Sequence, residues 1–506
     1  MQLLLTYFYF ICAFLLFMFM VTRAQNRSKT QSRCSKSPPG PWKLPLVGNL
    51  HQLRGLPHRS LRDLAKKYGP LFVLHLGEIK TVIVSSPRLA EEVLKTQDLA
   101  FCDRPHILAA GIITYNYVNA SFSPYGDYYK QLRKICVMEL LGAKKVQSLW
   151  SIREEEVSDL IRNISSMAMS GSTINFSESV SSLTNDIISR AAFGKKCKDK
   201  DAFVPLLKEA SIIGGGFGFE EFFPSLKVFH WISGTQARLQ KIHQEIDKIL
   251  EEILNEHIEK RSRIPTNELE PDEEDIVDVF LRLREENNLA IPMGNDNIKS
   301  VFMDIFAAGT ETSSTALVWA MSELMRNPKI MAKAQDEVRR VFNGRTKVCQ
   351  SDIDKLDYMR AILKETLRLH LPSALLLPRE SRKRCELEGY EIPKGTKVTV
   401  NAWALARDPD FWPNAERFEP ERFLDLSINY NGTNFSYLPF GAGRRMCPGI
   451  SLGVANMELI LAQLLYNFDW KLCDGIKPDE LDMSESFGLT VGKKFPLNLV
   501  PTVYRP

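Results

Sequence analysis

Hydropathy divides the chain into three unequal stretches. From Leu3 to Val21 the residues are almost all apolar or aromatic and none is charged. As a helix this run reaches ~28 Å, enough to cross the hydrocarbon core of a bilayer. Arg23, Arg27, Lys29, Arg33 and Lys36 follow, with no acid among them. Pro38, Pro39, Pro41 and Pro45 then stiffen the connection into an extended segment. The pattern predicts a membrane anchor over 1–21, a basic flank and proline hinge over 22–45, and a folded body over 46–506. A cleaved signal peptide wants basic residues before its apolar run and small residues after it. Here nothing basic precedes Leu3, and Val21-Thr22-Arg23 closes the run. Cations on that side place it in the cytosol.

Within the body the period-two pattern comes first. Leu71–Leu76 and Thr81–Ser85 flank Gly77 and predict a hairpin. After Pro87 the period turns helical and mostly stays so. Gln236–Arg261 predicts a long amphipathic helix, and Asn267–Asp275, with its six acids and Pro271, a solvated loop. Asn295-Asp296-Asn297 predicts the cap of a helix running to about Asn327 and stopping at Pro328. Lys397–Val400 and Leu497–Val500 predict short strands. The fold class is therefore mostly α with a small β-rich part.

Composition narrows the function. The 506 residues are 44% hydrophobic and 25% charged, which excludes a disordered chain and a collagen. The five cations after the anchor exceed the whole net charge of +4, so the body is slightly acidic and nucleic-acid binding has no support. Nine cysteines, with no C-x-x-C pair, read as mostly free thiols in a reducing compartment. Six N-x-S/T sequons, among them Asn119, should then stay unmodified. Gly214-Gly215-Gly216-Phe217-Gly218 lacks the spacing of a dinucleotide loop.

Three segments carry chemistry. Ala307-Ala308-Gly309-Thr310-Glu311-Thr312-Ser313-Ser314-Thr315 is poor helix sequence inside an apolar helix and suggests a local opening for a small ligand. Glu365 and Arg368 share a helix face, a spacing that usually makes a surface ion pair. In Phe440-Gly441-Ala442-Gly443-Arg444-Arg445-Met446-Cys447-Pro448-Gly449, glycines and two arginines crowd one cysteine. Backbone amides brought close by the glycines, and the arginines, favour a thiolate there, and with it a metal ligand. An apolar helix, Ile450 to Leu465, follows.

Together these residues resemble the cytochrome P450 family of haem-thiolate monooxygenases. The F-G-x-G-R-R-x-C-x-G loop matches from Phe440 to Gly449, E-x-x-R is Glu365 and Arg368, the arginine of P-E-R-F is Arg422, and A-G-x-[DE]-T-[TS] runs from Ala308 to Ser313. The segment Pro38 to Asn49 and the tail from Asp482 to Gly492 look like plant enzymes of specialised metabolism. The resemblance implies the P450 fold with an N-terminal transmembrane helix, anchored as a single pass in the endoplasmic reticulum with the catalytic domain in the cytosol. It implies haem b, held by Cys447 as the axial iron ligand, in a loop shaped by Phe440, Gly441 and Gly449, with Arg445, Arg133 and Arg379 on the propionates. Glu365, Arg368 and Arg422 would form a buried cluster bracing the loop. Thr312 and Glu311 would steer protons to dioxygen. NADPH and flavins would act only through NADPH–cytochrome P450 reductase, with cytochrome b5 as a second electron donor. Where the family usually has W-R-x-x-R, this chain has Tyr129, Lys130 and Arg133, which puts the first two in doubt as propionate contacts.

The distal pocket implied by the resemblance includes Val301, Ile305, Ala308, Leu376 and Leu489, from segments with no Arg or Lys to meet an anion. That lining predicts a neutral skeleton, a sesquiterpene or diterpene, hydroxylated at an unactivated carbon. The alternatives are an alkaloid or phenolic metabolite, with Asp304 near an amine, or an oxygen-independent haem isomerase or dehydratase. Relatives of that last kind lose the threonine that Thr312 retains. A non-catalytic haem sensor is a third class.

Overall fold

The computed structural model describes residues 37–197, 200–215, 218–226, 233–263, 274–286, 289–345 and 348–505. The predicted anchor and basic flank lie outside the described residues. Among the described residues no helix is long and apolar enough to cross a membrane.

The hairpin forms as expected, with its second strand starting two residues earlier. Strand β1, Leu71–Leu76, pairs antiparallel with β2, Ile79–Val84. Gly77 turns the chain at φ +58°, where an added Cβ would lie 2.4 Å from the Phe222 carbonyl oxygen. Two distant segments complete the sheet. Strand β3, Arg379–Glu380, pairs antiparallel with β4, Lys397–Val400, and β4 pairs parallel with β2. Alternation sends Val82, Val84, Val398 and Val400 into one core layer. Thr81, Ile83, Lys397 and Thr399 go to the other face. The last strand, Asn498–Val503, pairs with Phe468–Leu472.

Helices build the rest. Six position the site: α1, Asp127–Ile135; α2, Phe176–Phe193; α3, Thr235–Arg263; α4, Asn295–Arg326; α5, Asp357–Leu369; and α6, Ile450–Asn467. Helix α4 is the axis, buried against α2, α5 and α6 through side chains such as Ile187, Leu317, Met321, Ile362 and Ile460. At its start Asn297 Oδ1 accepts the Gly294 N–H at 2.9 Å. Pro328 opens the next helix at its first position, where a missing N–H costs nothing.

Two expectations change. The weak segment of α4 is continuous helix, with no opening. Gly309 is there for packing, since a Cβ would come 2.7 Å from Ile188 Cδ1 on α2. The end of the acidic loop is not solvated. Glu274 and Asp275 are buried, Glu274 paired with Arg282 at 3.0 Å and Asp275 with His257 at 2.9 Å. The rest of that loop lies outside the described residues.

Candidate functional site

The cysteine loop is held by its backbone. Gly441 and Gly443 adopt φ of +69° and +70°, and a Cβ on Gly443 would lie 2.0 Å from the Leu94 carbonyl oxygen. The Cys447 N–H donates to the Phe440 carbonyl at 3.0 Å, and Gly449 is the N-cap of α6. Burial pushes the Cys447 thiol up, opposed by the Gly449 N–H and the charge of Arg133. The expected help from Arg444 and Arg445 does not reach the sulfur. Arg444 turns to the Tyr125 hydroxyl and Asp98, and Arg445 turns to loop carbonyls. A cation bound at the sulfur is what ionises it. Arg133 donates to the Met446 carbonyl and so supports the loop from α1.

A cluster of guanidinium groups sits beside the loop. Arg379 Nη1 donates to Asp98 Oδ1 at 3.0 Å and its Nη2 to the Ala442 carbonyl at 3.1 Å. Arg445 donates to Cys102 O at 2.8 Å and Ser123 O at 2.6 Å, and lies 3.8 Å over the Tyr129 ring. Arg104, which sequence reasoning missed, donates to Ser121 O, Leu377 O and Pro378 O at 2.7–2.9 Å. Burial first, then the charges of Arg379 and Arg445, push the Arg104 pKa well below its usual value. Of these three cations only Arg379 pairs with Asp98; among the described residues Arg104 and Arg445 form no ion pair and bond carbonyls instead. This excess of positive charge fits the two propionates of a haem, and Cys447 fits its iron. Tyr129 is buried and its hydroxyl donates to the Arg444 carbonyl at 2.6 Å. Lys130 is exposed and pairs with Asp127 on its own helix, outside the cluster.

The expected surface ion pair is a buried one. Glu365 and Arg368 are both fully buried, with Arg368 Nε to Glu365 Oε2 at 2.7 Å and Nη2 to Oε1 at 2.8 Å. Arg368 also donates to the Ala406 and Ala415 carbonyls at 2.7 Å, and Arg422 reaches Glu365 at 3.2 Å.

On α4, Ala308 is exposed and the Thr312 hydroxyl donates to its carbonyl at 2.6 Å. Burial raises the Glu311 carboxyl, opposed by Ser211 and Lys208. Val301 and Ile305 are packed in the core with α3 residues such as Ile246 and Leu250. A cleft of about 740 Å³, counting its open mouth, lies between the sheet, residues 373–378 and residues 487–491. Leu376 and Leu489 line it, whereas Val301, Ile305 and Ala308 do not. Gly214 and Gly215 line it too, Gly215 leaving room for Gly488, where a Cβ would come 3.1 Å from that residue's carbonyl carbon.

Two readings of charge are corrected here. Asp304 does not face a ligand amine. Its carboxylate is spent on Asn119 Nδ2 at 2.6 Å, Ala120 N at 2.8 Å and Ser121 N at 3.0 Å. And the cleft does hold a cation, Lys397 of β4, brought there by a strand register that hydropathy does not reveal.

Known proteins agree with this architecture. A family model described as Cytochrome P450 matches residues 38–496. Desmethyl-deoxy-podophyllotoxin synthase of Sinopodophyllum hexandrum is 54% identical over 491 residues, covering 97% of this chain and 95% of that one. Premnaspirodiene oxygenase of Hyoscyamus muticus is 50% identical over 494 residues, 97% of each chain. A zebra fish cytochrome P450 solved with abiraterone superposes with a TM-score of 0.73 at 26% identity, covering 89% of this chain and 100% of that one. With the sulfur loop, the arginine cluster and the buried brace in one place, the chain belongs to the cytochrome P450 family and is a monooxygenase.

Proposed function

We propose that this monooxygenase hydroxylates a sesquiterpene or diterpene skeleton at an unactivated carbon. One atom of dioxygen enters the C–H bond and the other leaves as water, with two electrons from NADPH and two protons balancing the reaction. The apolar cleft beside the cysteine loop carries this reading: Leu76, Ile83, Leu376, Phe487, Leu489 and Val491 are among the apolar residues of its wall. A relative named for oxygenating a hydrocarbon diene supports it. The amine reading loses its residue, since Asp304 is already bonded.

Haem bound through Cys447 supplies the activation of dioxygen. The chain's own groups do the rest. Arg104, Arg379 and Arg445 bind the propionates, and Arg133 and Tyr129 hold the loop carbonyls of Met446 and Arg444. Thr312 Oγ1, donating to Ala308 O, keeps its lone pairs as acceptors and can relay a proton by exchanging roles. Glu311, its pKa raised by burial, carries a proton at higher pH than an exposed carboxyl, which suits a donor.

Electrons come from NADPH–cytochrome P450 reductase, with cytochrome b5 as a second donor. Exposed Lys134, Lys144 and Arg444, with exposed Val137 and Met138 between them in sequence, offer that partner a cationic face near the loop. Lys145 contributes less, since it donates to the Glu274 carbonyl. The apolar run 1–21 would anchor the chain in the endoplasmic reticulum membrane with the body in the cytosol. Membranes holding this chain and a plant reductase, given terpenes with and without NADPH and oxygen, test the proposal by mass spectrometry. Products formed without oxygen, or none from any terpene, reject it.

A further inference from the structure

The cleft has a polar floor that an apolar ligand does not explain. Parallel pairing sets Thr81 beside Lys397 and Ile83 beside Thr399, and all four side chains line the cleft. Thr81 is 1% exposed and its hydroxyl has no hydrogen-bond partner. Lys397 forms no ion pair and no hydrogen bond among the described residues. Glu221, the acid that attracts it, already accepts the N–H groups of Leu108 and Ala109. Glu380, its cross-strand neighbour, is placed among Asp103, His106 and Lys394. A buried hydroxyl and an ammonium left without partners are costly unless something else completes them. The ammonium can only donate and the hydroxyl can donate too, so an acceptor oxygen would complete both.

The cleft also meets the cysteine loop. Leu376 Cδ1 lies 4.0 Å from where a Cβ on Gly441 would sit, and Leu489 lines the wall with it. The space is therefore amphipathic, with donors on the sheet and hydrocarbon toward the loop. We propose that the cleft recognises a carbonyl or carboxylate oxygen at the far end of an apolar substrate, received by Lys397 Nζ and Thr81 Oγ1, while the hydrocarbon end lies toward Cys447. This rests on the reading of the chain as a monooxygenase of apolar skeletons and adds that its substrate already carries oxygen. A site built to meet such an oxygen discriminates against the analogue lacking it more sharply than an apolar wall discriminates by size.

The test is ligand binding to the haem-loaded full chain, read by equilibrium dialysis and by the ligand-induced shift of haem absorption. Two matched series serve as probes: farnesane, methyl 3,7,11-trimethyldodecanoate and 3,7,11-trimethyldodecanoic acid, and dodecane, methyl dodecanoate and dodecanoic acid. In the wild type the ester or the acid should bind at least about tenfold tighter than the hydrocarbon. The ester arm reports a carbonyl and the acid arm a carboxylate. In Lys397→Met that advantage should fall below about threefold with the hydrocarbon affinity unchanged, and Thr81→Val should lower the ester's advantage. Should Lys397→Met fail to load haem, Lys397→Gln replaces it, and its weaker neutral donor should still lose most of the acid's advantage. Selectivity in the dodecane series with no binding of any farnesane derivative would reject the terpenoid reading and uphold the subsite. No oxygen preference in either series, or the same preference in the Lys397 variants as in the wild type, would overturn it.

Discussion

Asp304→Ala should cost about 3–5 kcal/mol of stability and loosen the protein's hold on haem. Asp304 sits within α4 and ties down residues 119–121 by three hydrogen bonds of 2.6–3.0 Å. Asn119 is fully buried, so its amide has no water to turn to. A hydrogen bond to a charged group contributes about 1.5–3 kcal/mol, and a buried donor left unpaired costs about 1–3 kcal/mol. Burial raises the Asp304 pKa, so part of the gain is spent on keeping the carboxylate charged. The net figure falls in the range for breaking a buried charged network. The effect does not stop at the loop. Ser121 O receives Arg104 at 2.8 Å and Ser123 O receives Arg445 at 2.6 Å, so slack in this turn displaces both guanidinium groups. Urea unfolding gives the stability from the midpoint at constant m. Haem transfer to excess apomyoglobin gives the grip, and should accelerate. Asp304→Asn, keeping one acceptor oxygen, should lose about half as much. A loss under about 1 kcal/mol with unchanged haem transfer would refute the reasoning.

Three further outcomes are expected. Cys447→Ser should remove the red-shifted carbon monoxide band of the reduced protein, and a variant that keeps that band and its turnover would rule out Cys447 as ligand. Thr312→Ala should keep consuming NADPH while product falls and peroxide rises, and an unchanged product yield per NADPH would remove Thr312 from the proton relay. Burial lifts the Glu458 carboxyl from its usual 4.5 to about 7, so the folded state holds that proton more tightly than the unfolded chain. Stability should therefore fall by about 3 kcal/mol as pH rises from 4.5 through 7. Denaturant titrations at pH 5 and pH 8 should show that fall in the wild type and lose it in Glu458→Gln.

What could be read along the chain follows from range. The hairpin, α3 and α4 announce themselves because period, cap and breaker lie within a few residues of one another. The cysteine loop is as local, ten residues from Phe440 to Gly449. Gly309 misled for the same reason: its helix propensity is a local quantity, but its purpose is the approach of Ile188, more than a hundred residues away. Arg104 and Lys397 carried no signal, one placed by a turn after Phe101 and the other by parallel pairing with β2. Asp304 looked like a free acid on an apolar helix until residues 119–121 folded over it.

The two arginine clusters show why burial alone does not tell a brace from a binding site, and why charge balance does. Around Glu365 the account closes. Arg368 and Arg422 face Glu365, Arg422 takes Glu419 as its second acid at 2.9 Å, and Arg368 spends its remaining donors on carbonyls. Two cations meet two carboxylates, and nothing more is needed there. Around Asp98 it does not close. Arg104, Arg379 and Arg445 converge on loop carbonyls, Arg379 alone of them pairs with Asp98, and the pKa of each is lowered by burial before any other cause. Carbonyls satisfy donors without neutralising charge. Asp304 and Asp103 attract Arg104 and Arg445 only from a distance, so among the described residues these two guanidinium groups have no paired carboxylate, beside a sulfur that needs a cation. A dianionic ligand carrying a metal completes both, so the cluster that fails as a structural unit is the one that serves as a site.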